Sequence, residues 1–193
     1  MNRLWPVLMV LVLSSSPAFA HVGAGSTASF SVGFAHPLGG LDHVTVMIAV
    51  GLWAALKGGR ARSVWPAAFV GIMLAGGGLG MAHVPVPFVE PGILASIVAL
   101  GLLVALAVDL PIWLGAVVIG VFALFHGHAN GSEVVETVSG AEYMAGFALA
   151  TAALHLTGIG FALAMGRLRW RPVIRVTGVA CVLIGAGLFA GVL

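Results

Sequence analysis

The sequence predicts an all-α polytopic membrane protein. About six transmembrane helices follow a cleavable signal peptide, and the first helix is broken at Pro37–Gly40. Three observations carry this reading. Hydrophobic residues make up 61% of the chain and charged residues only 7%, and the mean hydropathy of +1.15 is more than a soluble domain can hide. The apolar stretches come in runs of about 20 residues, the length of a bilayer-crossing helix. Apart from Arg3 near the start, Lys and Arg fall in two groups, one between the first two spans and one between the last two or just inside the last.

In chain order, residues 1–20 read as the signal peptide. Asn2-Arg3 give a short positive region, Leu4 to Leu13 an apolar core, and Ala18-Phe19-Ala20 a small-residue cleavage site. Cleavage after Ala20 leaves His21 as an exported N-terminus. The remainder, 21–193, reads as a single transmembrane domain, because its loops are too short for a separate soluble unit. Apolar periodicity places spans at approximately 28–56, 64–82, 91–108, 111–128, 140–166 and 172–192. The first and fifth are long enough to be tilted, broken or partly outside the bilayer. The runs Gly76-Gly77-Gly78-Leu79-Gly80 and Gly185-Ala186-Gly187 suit close approach of helix backbones.

Charge sets the expected orientation. Lys57, Arg60 and Arg62 follow the first span, and Arg167, Arg169, Arg171 and Arg175 surround the start of the last. The positive-inside rule places both groups in the cytoplasm, which an exported N-terminus and six spans allow without conflict. Both termini of the mature chain then lie outside the cytoplasm, with Glu90, Glu133, Glu136 and Glu142. Asp109 reads as a turn residue before Pro111. Trp53, Trp65 and Trp170 read as interfacial anchors near cytoplasmic span ends. The basic residues are few and form no face, which argues against nucleic-acid binding. The single cysteine, Cys181, reads as a buried inert thiol.

Two polar clusters stand out. The first is His36-Pro37-Leu38-Gly39-Gly40-Leu41-Asp42-His43, inside a candidate span, where ionisable groups are costly and read as an ion or proton site. Pro37 and Gly39-Gly40 weaken the helix at the same place. On an unbroken helix, His36 and His43 share a face but stand roughly 10 Å apart. Sharing one ion therefore requires a bend; a buried His–Asp pair that pins a kink is the plain alternative.

The second cluster is Phe125-His126-Gly127-His128-Ala129-Asn130-Gly131-Ser132-Glu133. Here Gly127 and Gly131 suggest that the helix ends, so that an irregular turn aims His126 and His128 at one point; a solvated polar loop is the alternative. With Asn130 and Glu133 the donors are mixed nitrogen and oxygen, which suits borderline divalent ions such as Ni, Co, Zn or Cu better than Mg or Ca. Glu90 is either an outer ligand or simply an acid favoured at a helix N-terminus. His83 reads as interfacial. His155, in the fifth span, either lines a path or hydrogen-bonds a neighbouring helix. No nucleophile motif, phosphate loop, Cys-rich zinc pattern or haem-attachment motif appears, and no general acid or base is evident outside the metal clusters, which weighs against an enzyme. A receptor holding metal without translocating it would need only the outer cluster.

At these residues the chain resembles the HupE/UreJ family of nickel permeases. His36 to His43 is similar to that family's HPxxGxDH signature and Phe125 to Glu133 to its FHGxAHGxE signature; Pro87-Phe88-Val89-Glu90-Pro91-Gly92-Ile93 also agrees. The resemblance implies uptake of Ni²⁺, and of Co²⁺, across the bacterial inner membrane. The metal is cargo, no resident cofactor is needed, and hydrogenase or urease is supplied indirectly. It implies roles for His36, Asp42, His43, Glu90, His126 and Glu133, with Phe69 as a supporting position. One departure matters: Asn130 stands where the family's second signature has His, with His128 as the nearest imidazole to compensate. The expected route begins with capture by His126, His128, Glu133 and Glu90 and continues to His36, Asp42 and His43.

Overall fold

A computed structural model of the chain describes residues 26–134 and 139–192. The expected signal peptide, His21 and Glu136 lie outside the described residues. Among these residues all regular structure is helical, in seven helices: α1 (Ser26–Gly39), α2 (Leu41–Lys57), α3 (Ala61–Met81), α4 (Val89–Ala105), α5 (Ile112–Ser132), α6 (Gly140–Arg167) and α7 (Arg171–Phe189). Four of them, α3, α5, α6 and α7, are long and apolar enough to cross a bilayer. The helices α2 and α4 have 17 residues each, about 26 Å at 1.5 Å per residue, slightly short of a hydrocarbon core.

The expected break in the first apolar stretch is present. The axes of α1 and α2 meet at 82°. The turning residue is Gly40, extended at φ −102° and ψ 124°, while Pro37 remains inside α1. Proline removes one donor near the end of that helix, and α2 restarts with the Val44 amide on the Gly40 carbonyl (3.1 Å). Gly40 is needed for space: a Cβ there would stand 2.5 Å from Asp42 Oδ1 and 3.2 Å from His43 Nδ1.

Glycines set which helices touch. On α3 and α5, Gly76 faces the Leu124 carbonyl, Gly127 the Met73 carbonyl, Gly131 the Gly77 carbonyl and Gly80 the His128 carbonyl. Gly33 and Gly146 do the same between α1 and α6, Gly51 and Gly158 between α2 and α6, and Gly101 and Gly178 between α4 and α7. Small residues at facing positions allow backbones to approach within van der Waals contact, the main source of helix association in lipid. This corrects one expectation. Gly127 and Gly131 do not end the helix; α5 runs on to Ser132. In a bilayer an unwound backbone would lose its hydrogen-bond partners, and these glycines serve the contact with α3 instead.

A second expectation fails at the basic end. Trp53 and Trp65 are fully buried, with ring centroids 4.2 Å apart. Their indole N–H groups donate to the Val108 carbonyl (2.8 Å) and the Ile112 carbonyl (2.9 Å). They close the bundle around the turn between α4 and α5 rather than anchoring it in the interface. Only Trp170 of the three is exposed. Beside them Lys57 pairs with Asp109, and Arg175 Nε donates to the Ala105 carbonyl (2.7 Å). Lys57, Arg62, Arg167 and Arg171 line one cavity of about 410 Å³, so both basic groups do share one end of the bundle.

Candidate metal centre

The bend at Gly40 folds the last turn of α1 back over the first turn of α2. His36 and His43, which a straight helix would separate, come to a ring-centroid distance of 5.9 Å. His36 Nε2 lies 3.4 Å from a Glu133 carboxylate oxygen at the end of α5, and its ring packs against Tyr143 and Phe147 of α6. His43 sits deeper. Its Nδ1 is 3.0 Å from Asp42 Oδ2, and its ring is 5.0 Å from that of His126. The two clusters that are separate along the chain therefore form one cluster in space, joined by the side chains of His36 and His43 reaching those of Glu133, Asn130 and His126.

The hydrogen bonds fix where the protons are. The Asn130 amide donates to the His126 carbonyl (2.6 Å) and faces His43 Nε2 at 2.8 Å. A carboxamide NH₂ has two hydrogens, one for each contact, so His43 Nε2 is the acceptor and its proton is on Nδ1, toward Asp42. Ser96 Oγ lies 2.6 Å from the Ile93 carbonyl, which only its O–H can satisfy. Its oxygen must then accept from His126 Nε2 (3.0 Å), leaving His126 Nδ1 as a bare lone pair. His126 Nδ1 and Asn130 Oδ1 are both buried and have no hydrogen-bond partner among the described residues. His126 and Asn130 are 0% and 1% exposed and His43 8%.

The result is a set of electron pairs buried in an apolar bundle, with two carboxylates at its outer edge. A carboxylate on one imidazole nitrogen, leaving the other free for a metal, is the usual way a ligating histidine is oriented and made more basic. Asp42 and His43 have that arrangement, with the Asn130 N–H on the nitrogen a metal would use. The donors, imidazole nitrogen with amide and carboxylate oxygen, fit a borderline divalent cation. Among the described residues no trio of His, Cys, Asp and Glu converges on one point, so the arrangement is a set of linked pairs that an ion would draw together.

Other expected residues lie apart. Glu90 is exposed in the first turn of α4, and among the described residues no hydrogen bond or ion pair ties it to the cluster. His128 points away from His126, as two residues on a regular helix must; its Nε2 is 2.8 Å from the Val84 carbonyl in the α3–α4 loop. His83 is exposed in the same loop, at φ 54°. Phe69 is fully buried with its ring 6.0 Å from His126 and 5.0 Å from His155. His155 forms no hydrogen bond to a neighbouring helix: neither ring nitrogen has a partner among the described residues.

Ser96, Tyr143 and Phe147 were not singled out by sequence. Ser96 is the one hydroxyl in α4, which is apolar after Glu90 in its first turn, and Tyr143 is the only tyrosine in the chain; each is a signal that could have been followed. Phe147 gives no signal beyond its position one turn after Tyr143.

Comparison with known proteins agrees with the two signatures. Residues 8–188 match the family model described as HupE / UreJ protein. The chain belongs to the HupE/UreJ family. A relative described as Protein HupE, from Rhizobium leguminosarum bv. viciae, is 42% identical over 190 residues, covering 98% of each chain. No solved structure matches. HupE/UreJ proteins are membrane proteins associated with nickel transport and are not an enzyme family. Asn130, which differs from the signature that the sequence resembles, links the His43 ring to the main-chain carbonyl of His126.

Proposed function

We propose that this chain is a permease that takes up Ni²⁺, with Co²⁺ as a second cargo, across the bacterial inner membrane. The observation that carries the reading is the buried cluster of His43, His126 and Asn130, with lone pairs unsatisfied in an apolar bundle beside a broken helix. Polar groups at a helix break are a common way to build a mid-membrane ion site. In this reading α2 to α7 are the six spans, α1 lies across the outer end of the bundle, and the basic end faces the cytoplasm. Both mature termini are periplasmic. Glu133 and His36 receive the ion at the outer edge, with Glu90 and His128 on the approach. The ion then displaces the Asn130 N–H from His43 Nε2 and is held by His43 and His126, while Asp42 orients His43 and balances charge. Binding must be strong enough to strip water yet weak enough to release. The metal is substrate, and delivery to hydrogenase or urease is indirect.

The test is uptake of Ni²⁺ and Co²⁺ into proteoliposomes, wild type beside Asp42→Asn, with Zn²⁺ as competitor. Saturable entry that the substitution abolishes is the expected result. Equal entry in both would refute the route through His43. Tight binding without entry in the wild type would make the chain a receptor instead.

A further inference from the structure

Below the cluster, a second group of donors is assembled between α3 and α6. Phe69 and Met73 are one turn apart on α3, and Thr151 and His155 one turn apart on α6. The two pairs face each other: Thr151 Oγ1 lies 3.7 Å from Met73 Sδ, and the Phe69 and His155 rings meet edge to face at 5.0 Å. All four side chains are fully buried. A neutral imidazole carries one N–H and one lone pair, and at His155 neither has a hydrogen-bond partner among the described residues. A leucine would fill this space without two orphaned polar atoms. An imidazole nitrogen, a thioether and a hydroxyl side by side are donors for a borderline or softer divalent cation, and poor ones for Mg²⁺ or Ca²⁺.

The position of this group relative to the outer cluster follows from α6. Phe147, which packs on both His36 and His43, precedes His155 by two turns, about 12 Å along the helix. The displacement is toward Arg167 and the basic end. Phe69 stands between the two levels, in ring contact with His126 above and His155 below. Its face offers attraction to a passing cation without offering a ligand.

We propose that His155, Met73 and Thr151 form a second, inner station for the same divalent metal ion, with the Phe69 ring as the partition between the two. Two weak sites in series let an ion leave the first without ever meeting lipid or losing all its ligands. The order of the stations along a path rests on the transport reading. Binding at His155 does not, and the experiment separates the two.

The full-length protein in detergent is titrated with Ni²⁺ alone, and the loaded protein is examined by nickel-edge X-ray absorption. His155→Leu removes the imidazole at similar volume; Met73→Leu removes the sulfur and keeps the packing. The expected result is that His155→Leu binds one equivalent of Ni²⁺ fewer than wild type. In proteoliposomes its maximal uptake falls by about tenfold or more at little changed half-saturation. Wild type shows a sulfur scatterer near nickel that Met73→Leu abolishes, a readout that does not depend on His155→Leu folding. Wild-type stoichiometry and uptake in His155→Leu, or no sulfur signal in wild type, would overturn the station. A wild type that fails to transport yet loses one equivalent on His155→Leu would sustain the station and refute the permease.

Discussion

Replacing Gly40 by alanine tests the link between Asp42 and His43 without removing either. The backbone at Gly40 is extended with negative φ, so alanine meets no conformational penalty there. What it meets is Asp42 Oδ1 at 2.5 Å, where ordinary contact begins at 3.4 Å. The carboxylate must retreat by about 0.9 Å, the difference between those distances, and His43 Nδ1, at 3.2 Å from the new methyl, is pressed as well. The 3.0 Å contact to His43 Nδ1 is made by the other carboxylate oxygen, Oδ2; turning the carboxylate to move Oδ1, with His43 Nδ1 pressed by the same methyl, is expected to lengthen it and weaken the hydrogen bond. A hydrogen bond to a charged group contributes about 1.5–3 kcal/mol, which corresponds to about 10- to 100-fold in affinity. The same range is typical when a carboxylate behind a ligating histidine is lost. Isothermal titration of the purified protein with Ni²⁺ should show that loss, with helix content by circular dichroism unchanged. An affinity within about threefold of wild type, in a protein that folds normally, would refute the assignment of Asp42 as the group that orients His43.

Two further predictions follow from particular contacts. Asn130→His puts an imidazole where the amide now joins the His43 ring to the His126 main-chain carbonyl; Ni²⁺ affinity is expected to rise by about tenfold, since imidazole is the better ligand, and a fall in the same titration would show that the amide contact matters more than the added nitrogen. Gly131→Ala forces a methyl against the Gly77 carbonyl, whereas Gly39→Ala meets nothing within 4 Å among the described residues. Thermal unfolding in detergent should show Gly131→Ala destabilised by about 1–3 kcal/mol from overpacking and Gly39→Ala close to wild type; equal behaviour of the two would contradict the close approach of α3 and α5.

Much of the fold could be read from the chain because the bilayer imposes length and composition directly. Each of the six apolar stretches became a helix or, for the first, a bent pair, with ends displaced by a few residues. The break was legible because two glycines follow a proline by one residue. The end of α5 was misread for a related reason: glycine weakens helices in water, but inside a bundle it marks where another backbone comes close. The tryptophans were misread because burial against the α4–α5 turn depends on packing between helices distant in sequence. The candidate site was legible as residue types and not as an arrangement. Spacing along the chain put His36 and His43 in one cluster and His126 in another, whereas side chains reaching from α2 to α5, His43 to Asn130 and to His126, join them. Asn130 was visible as a departure from a signature, but its place between the His43 ring and the His126 main-chain carbonyl was not.

Five contacts of the polar groups share a property that concerns motion. His36 with Glu133, His43 with Asn130 and His126, Thr151 with Met73, and His155 with Phe69 all join one of α1, α2 and α6 to one of α3 and α5. Within each of those two groups the helices are locked backbone to backbone by glycine, and such contacts resist sliding because there is no side chain to rearrange. These five contacts lie on the seam between the groups, which the buried Trp53 and Trp65 rings also cross. A small rotation of one group against the other would change all five contacts together. An ion held from both sides would therefore fix the relative position of two rigid halves, so that occupancy and shape become a single variable.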